Sequence, residues 1–84
     1  MSQKLYGRHI VSDPDICQGK PTFRGTRILV ADVLEKIGEG LAWETIIEEW
    51  RSGITKEAIA EAVRISKQAF LEHGVEYALE PGVA

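Results

Sequence analysis

Apolar residues recur at helical spacing three times between residues 30 and 73, and a glycine follows each repeat. Side chains at i, i+3, i+4 and i+7 share one face of an α-helix, so each repeat predicts a short amphipathic helix. Gly38 and Gly40 are expected to end the first helix and Gly74 the third, because glycine readily adopts the left-handed conformation of a helix end. The three predicted core faces are Val30, Val33, Leu34 and Ile37; Trp43, Ile46, Ile47 and Trp50; and Ile59, Ala62, Val63, Ser66 and Phe70.

The boundary between the second and third helices has the form of a helix-turn-helix. Residues 52–54 read Ser-Gly-Ile and predict a tight break. Thr55 follows as the expected N-cap of a third helix that runs to about Glu72, since its hydroxyl can accept a free N–H of the first turn. Two helices joined by a short, glycine-containing turn are typical of DNA-binding proteins, although other helical bundles share the pattern.

The first third of the chain lacks helical periodicity. His9–Ser12 is predicted as a short strand, the Asp-Pro-Asp sequence at 13–15 as a turn, and Arg27–Leu29 as a second short strand. Between them, Ile16–Thr26 contains two glycines and a proline, which favours an ordered loop. Met1–Gly7 is expected to be a frayed terminus.

The predicted fold is therefore mainly α, with a three-helix helix-turn-helix core preceded by a short β-hairpin. We expect one domain over residues 1–84, made of a β/loop head at 1–29, the helical core at 30–73 and a tail at 74–84. A core this small, with two short strands, favours a homodimer.

Composition points to a cytoplasmic protein. The longest apolar runs are far shorter than the ~18 residues of a membrane span. The first eight residues contain no apolar segment typical of a signal peptide, and the single cysteine, Cys17, has no intramolecular disulfide partner.

Charge divides the chain into two parts. Residues 1–27 carry five basic and two acidic side chains, a net charge of +3, and residues 28–84 carry five basic and eleven acidic ones, −6, which together give the total of −3. A basic head on an acidic body suggests two surfaces with different partners, unless the asymmetry is accidental.

Two groups of cations are candidates for DNA binding. On the third helix Lys56, Arg64 and Lys67 project within about 80° of one another, the basic stripe of a possible recognition helix; the alternative is a solvated face with pairs such as Glu61–Arg64. In the head, Lys20, Arg24 and Arg27 could contact phosphates. Alternatively, the glycines there form turns and the Thr26 and Arg27 side chains bond loop carbonyls.

Features of an enzyme are missing from the pattern. His9 and His73 lack the spacing of metal ligands, and Cys17 has no evident base partner, so we predict no catalytic residue, metal or cofactor. The two glycine-containing loops lack the strand–loop–helix sequence of a P-loop. Trp43 and Trp50 share a helical face and are predicted to belong to the core.

A resemblance to a known family rests on two segments and the residues after them. These are Asp13–Pro21 (DPDICQGKP), Gly25–Ile28 (GTRI), Val30 and Val33–Glu35. From about His9 to about Leu71 the chain resembles the bacterial domain of unknown function 433 (DUF433) family. The resemblance implies a homeodomain-like fold and a VapB-type antitoxin, encoded beside a PIN-like ribonuclease toxin. The chain departs from the family at Ala42, where Ser or Thr is usual as an N-cap, and at Trp50-Arg51, where Tyr-Pro is usual.

The resemblance leads to a functional expectation. The chain would neutralise a PIN-like ribonuclease toxin and bind its own operator DNA; alternatives are a protein-interaction adaptor or a transcription regulator without a toxin partner. An RNA-cutting toxin is expected to have a basic cleft that an acidic and apolar arm can fill. We therefore assign toxin binding to the tail residues Glu76, Tyr77, Leu79 and Glu80.

Overall fold

A computed structural model describes residues 3–51 and 53–79. It contains three helices and a three-stranded antiparallel sheet, so the fold is mixed α and β instead of mainly α. The elements are β1 (Lys4–Leu5), β2 (Ile10–Ser12), β3 (Thr22–Phe23), α1 (Val30–Gly38), α2 (Trp43–Glu49) and α3 (Lys56–His73), with 3₁₀ turns at Cys17–Gly19 and Gly74–Tyr77.

The sheet corrects two predictions for the head. Its strand order is β1-β2-β3, so the segment expected to be frayed contributes an edge strand, with Leu5 opposite Val11. The predicted strand Arg27–Leu29 is wrong: the strand paired with β2 is Thr22–Phe23, and Leu29 makes only a single bridge to Thr22. Thr22 and Phe23 are both buried, on opposite faces of the sheet, and β-branched and aromatic residues are favoured in strands.

Two glycine-containing motifs, Asp13–Pro21 and Gly25–Ile28, stabilise the head. Cys17, Gln18 and Gly19 all have positive φ angles, of 49°, 59° and 82°. The Ser12 hydroxyl donates to the Gly19 carbonyl at 2.9 Å, which holds this left-handed turn against β2. The Cys17 thiol lies 3.5 Å from the Arg27 carbonyl and links the two motifs.

The predicted turns of the head are confirmed. The Asp13 carboxylate accepts the N–H of Asp15 at 2.9 Å, as expected for a turn that begins with aspartate. Gly25 has a φ of 79°, and the Thr26 hydroxyl donates to the Phe23 carbonyl at 2.8 Å. The glycine and threonine of the second motif therefore have structural roles.

The helices pack on one another and on the sheet. Val33, Ile46 and Ile59, one from each helix, are fully buried, and Ile10 and Phe23 of the sheet join them. Trp43 and Trp50 are partly buried against this core, in agreement with the prediction.

The predicted core face of α3 is correct for Ile59 and Ala62 and wrong for Val63 and Phe70, which are 38% and 65% exposed. Ala58 and Ile65 pack on the core instead, so the buried face is centred further round the helix.

The helix ends differ in the groups that cap them. Gly40 ends α1 with a φ of 91° and donates to the Ile37 carbonyl, as predicted. Thr55 caps α3, because its hydroxyl oxygen accepts the Ala58 N–H at 3.1 Å. Ala42 is the N-cap of α2 and supplies no side-chain acceptor. Gly74 is right-handed, with a φ of −58°, and leads into the 3₁₀ turn of the tail.

The connection between α2 and α3 is longer than the tight break predicted. Helix α2 ends at Glu49 and α3 begins at Lys56, so residues 50–55 lie between them. Arg51 within this connection has a positive φ of 53°.

The caps of α2 and α3 form a matched pair for a stability test. Ala42→Ser should stabilise the protein by about 1 kcal/mol, because a hydroxyl at an extended N-cap satisfies a free N–H of the first turn. Thr55→Ala should destabilise it by about 0.5–2 kcal/mol through loss of the same interaction. Urea denaturation measures both changes, and no gain for Ala42→Ser would show that the first turn of α2 needs no such acceptor.

Candidate functional site

A cavity of about 330 Å³ lies where the head meets the start of α3. Two arginines, Arg8 and Arg24, border it and are exposed to solvent. Guanidinium groups and the free N–H groups at a helix N-terminus both attract anions. The full set of lining residues is Arg8, His9, Phe23, Arg24, Gly53, Ile54, Thr55 and Ala58.

A buried carboxylate positions the basic wall of this cavity. Glu61 is only 8% exposed, and its two oxygens accept the backbone N–H groups of Arg8 at 2.9 Å and His9 at 2.6 Å. A Cβ atom at position 7 would lie 2.5 Å from Glu61 Oε2, so Gly7 permits the close approach of the two segments. Glu61 thereby fixes the loop between β1 and β2 to α3.

Opposing influences act on the pKa of Glu61. Burial raises the pKa, whereas the N–H donors of Arg8 and His9 lower it, assisted by the nearby positive charge of Arg64. The lowering influences prevail, and the pKa lies below the usual value for glutamate. The carboxylate is therefore ionised at neutral pH, which strengthens both of its hydrogen bonds.

Arg24 connects β3 to the same loop. Its backbone N–H donates to the His9 carbonyl at 2.8 Å, and its Nη1 donates to the Arg8 carbonyl at 3.1 Å. Its guanidinium is therefore anchored beside Arg8, with further N–H groups available to a ligand.

The predicted DNA-binding residues occupy several places. Arg24 lines the cavity, and Lys56 follows Thr55 at its edge, with its ammonium 3.8 Å from Glu44 Oε2. Arg64 and Lys67 are exposed further along α3. Lys67 lies eleven residues beyond Lys56, or about 16 Å along the helix axis.

The other two predicted DNA-binding residues of the head do not line this cavity. Lys20 borders an apolar groove between the head, α1 and α3, and Arg27 is exposed in the loop before α1. The structure therefore gathers Arg24 and the start of the basic stripe, and leaves Lys20 and Arg27 apart.

Sequence reasoning missed Arg8, His9 and Glu61. Residues 1–7 were expected to be frayed, which hid the loop that follows them. Glu61 entered only as a partner of Arg64 in the alternative of a solvated face on the third helix. The signal available in the sequence was the position of Glu61 on the helix. It shares the buried side of α3 with Ala58, Ala62 and Ile65.

The predicted partner-binding residues lie in the tail. Tyr77 stacks on Phe70, with ring centroids 6.2 Å apart, and Glu76 lies 3.3 Å from His73 Nδ1. Leu79 is fully exposed, and Glu80 lies outside the described residues. The tail thus begins by folding back onto α3.

Residues 3–51 and 53–79 contain no group of three or more histidine, cysteine or acidic side chains arranged to hold a metal ion. Over the same part of the chain, no helix has the length and apolar character needed to cross a membrane.

Comparison with known proteins identifies relatives. The model of a family described as "Protein of unknown function (DUF433)" matches residues 10–65. The uncharacterized protein y4eO of Sinorhizobium fredii is 42% identical over 43 residues, which cover 51% of this chain and 20% of that protein. The match thus spans about a fifth of the relative's length. No solved structure matches the chain significantly.

Replacing the buried carboxylate tests its role. Glu61→Gln should destabilise the protein at pH 7 by about 1–3 kcal/mol, because the amide offers a single oxygen and leaves one of two N–H groups without a charged acceptor. Since the folded-state pKa of Glu61 is lowered, its stabilisation is present above the unfolded pKa of about 4.3 and is lost as the pH falls through the folded value.

Chemical denaturation from pH 7 to pH 3 provides the measurement. The stability difference between the native protein and Glu61→Gln should shrink below about pH 4. Glu48→Gln, an exposed change on α2, is the control and should have little effect. An equal difference at all pH values would contradict an ionised Glu61.

Proposed function

The chain belongs to the DUF433 family, and on that premise we propose that it is a cytoplasmic antitoxin that binds DNA and a PIN-like ribonuclease toxin through separate surfaces. The observation that carries the proposal is the contrast between the two ends of α3. The arginine-lined cavity lies at its N-terminus, and exposed apolar residues with an acidic tail lie at its C-terminus. Fifteen residues separate Thr55 from Phe70, which is about 22 Å along a helix.

The N-terminal end of α3 suits a DNA backbone. Arg8 and Arg24 line the cavity at the first turn of the helix, whose own N–H groups favour phosphate. Lys56 belongs to the same turn and adds a cation whose ammonium lies 3.8 Å from Glu44. In a helix-turn-helix the second helix enters the groove with its N-terminal residues foremost, which here corresponds to α3. Arg64 and Lys67 would then extend the contact along the duplex.

The C-terminal end suits a protein partner. Val75 and Leu79 are 85% and 101% exposed, and Glu72 and Glu76 add negative charge beside them. An acidic and apolar surface is complementary to the basic cleft expected of an enzyme that cuts RNA. We therefore retain Glu76, Tyr77, Leu79 and Glu80 as the proposed toxin-binding segment.

The exposed apolar side chains also fit the alternative of an adaptor that binds proteins and no DNA. Salt dependence separates the two proposals. Phosphate contacts release counterions, so specific DNA binding weakens steeply with salt, whereas an adaptor has no such binding to lose.

Charge reversal tests the DNA-binding cavity. Arg8→Glu combined with Arg24→Glu should weaken binding to the protein's own promoter by at least about tenfold and reduce the slope of log Kd against log salt by about one for each phosphate that the variant no longer neutralises. Lys4→Glu combined with Lys36→Glu gives the same net charge with no change at the cavity, and is the matched control. Fluorescence anisotropy at several salt concentrations measures both.

Two results of this experiment would contradict the proposal. Equal losses in the cavity variant and the control would mean that only net charge matters. The second result is normal promoter binding by the cavity variant, together with no binding by a triple variant Lys56→Glu, Arg64→Glu and Lys67→Glu. It would place the DNA on the basic stripe alone. Circular dichroism establishes that each variant is folded.

Truncation tests the toxin-binding tail. A chain ending at Gly74 should lose protection of cells against co-expressed toxin and retain promoter binding, because it lacks the acidic and apolar tail but keeps the cavity. A chain ending at Leu79 keeps Glu76, Tyr77 and Leu79 and measures the contribution of Glu80 together with residues 81–84. Growth rescue by the shorter chain would show that the toxin binds elsewhere.

A further inference from the structure

Arg51, in the connection between α2 and α3, has a backbone conformation that favours glycine. Its φ of 53° lies in the left-handed region, where the Cβ atom of an L-residue crowds the backbone. Its N–H donates to the Glu48 carbonyl at 3.0 Å, and it directly follows the C-cap residue Trp50, a position where glycine is the commonest residue. An arginine therefore makes this turn less stable than a glycine would.

Contacts within the protein do not account for the arginine. Arg51 is exposed to solvent. In the part of the chain that the structure describes, no carboxylate lies within 4 Å of its guanidinium. Residues held in a sparsely populated backbone conformation cluster at functional sites. The charge of Arg51 is thus available to a ligand.

Two residues of the head share this backbone conformation. Cys17 and Gln18 have φ angles of 49° and 59°. The Cys17 thiol has a structural contact, since it lies 3.5 Å from the Arg27 carbonyl. Gln18 is exposed and lines a cavity of about 290 Å³ that shares no lining residue with the arginine-lined cavity. Gln18 is therefore a matched comparison for Arg51, with the same backbone conformation at a different site.

The turn that contains Arg51 borders the arginine-lined cavity. The Gly53 N–H donates to the Trp50 carbonyl at 2.9 Å and closes the turn. Gly53 and the next residue, Ile54, line the cavity. Arg51 therefore lies beside the cavity where α2 leads into α3, whereas the two arginines already described line it from the head.

Acidic side chains dominate the rest of this edge of the cavity. Glu48 and Glu49 are exposed at the end of α2, and Glu57 is exposed in the first turn of α3. The other cation is Lys56, whose ammonium lies 3.8 Å from a carboxylate of α2. Without Arg51, a phosphate near the first turn of α3 would meet three carboxylates and one cation that is already paired. Arg51 offsets part of this repulsion.

We propose that Arg51 donates hydrogen bonds to a phosphate of the bound DNA and is a further binding residue of the arginine-lined cavity. The inference rests on the proposed function, because it names a contact to the same ligand. A guanidinium suits this contact, since its planar set of N–H groups can donate two parallel hydrogen bonds to one phosphate. A phosphate contact carries no sequence information, so Arg51 strengthens binding to all DNA sequences alike.

Arg51→Gly separates the effect of the side chain from that of the backbone. Glycine suits a φ of 53°, so the variant should unfold at a higher urea concentration than the native protein. It should also bind promoter DNA at least about threefold more weakly, and the slope of log Kd against log salt should decrease by about one. Urea denaturation and fluorescence anisotropy at several salt concentrations measure the two effects in the full chain. Because the variant is more stable, unfolding cannot explain its loss of affinity.

Two control variants isolate these effects. Gln18→Gly relieves the same backbone conformation away from the arginine-lined cavity, so it should raise stability and leave DNA binding unchanged. Lys4→Ala removes one exposed cation that does not line this cavity, so it should weaken DNA binding less than Arg51→Gly does.

The failure of this inference can be told apart from the failure of the proposed function. Native affinity and salt dependence in Arg51→Gly, together with weakened binding by the Arg8→Glu and Arg24→Glu variant, would overturn the inference alone. Equal losses in Arg51→Gly and Lys4→Ala would overturn it too, because only net charge would then matter. Normal binding by the Arg8→Glu and Arg24→Glu variant would instead contradict the proposed DNA site.

Discussion

The buried carboxylate of Glu61 is the contact on which the arrangement of the molecule depends. It takes two backbone N–H groups from a loop more than fifty residues away and so fixes the sheet to α3. Without it the small sheet would rest on α3 chiefly through Ile10 and Phe23. The position of Arg8 and the relation of the cavity to the first turn of α3 follow from the same two hydrogen bonds.

The helices were accessible to sequence reasoning because their signals are local. Val30, Val33 and Ile46 fall on the faces that periodicity predicts, and Thr55 caps α3 through its own side chain. The sheet was less accessible, because strands of two or three residues have no periodicity to read. The partner of β2 was misplaced for that reason, and β1 was missed.

The candidate site was predictable only in part. Arg24 and Lys56 were identified from charge and helix position, and both lie at or next to the cavity. Arg8 and Glu61 were not, because their roles come from a pairing across the chain that no local pattern records. Phe70 was predicted to be buried but is 65% exposed, so the outer face of α3 presents an apolar side chain to solvent.

The span between Arg8 and Glu61 has a consequence for the order in which the structure forms. The head leaves the ribosome before α3, and its loop cannot donate its two N–H groups to Glu61 until residue 61 has been synthesised and α3 has formed. Closing a loop of this length carries an entropic cost that only formed long-range contacts repay. The head therefore cannot reach its final structure until α3 is present to receive it.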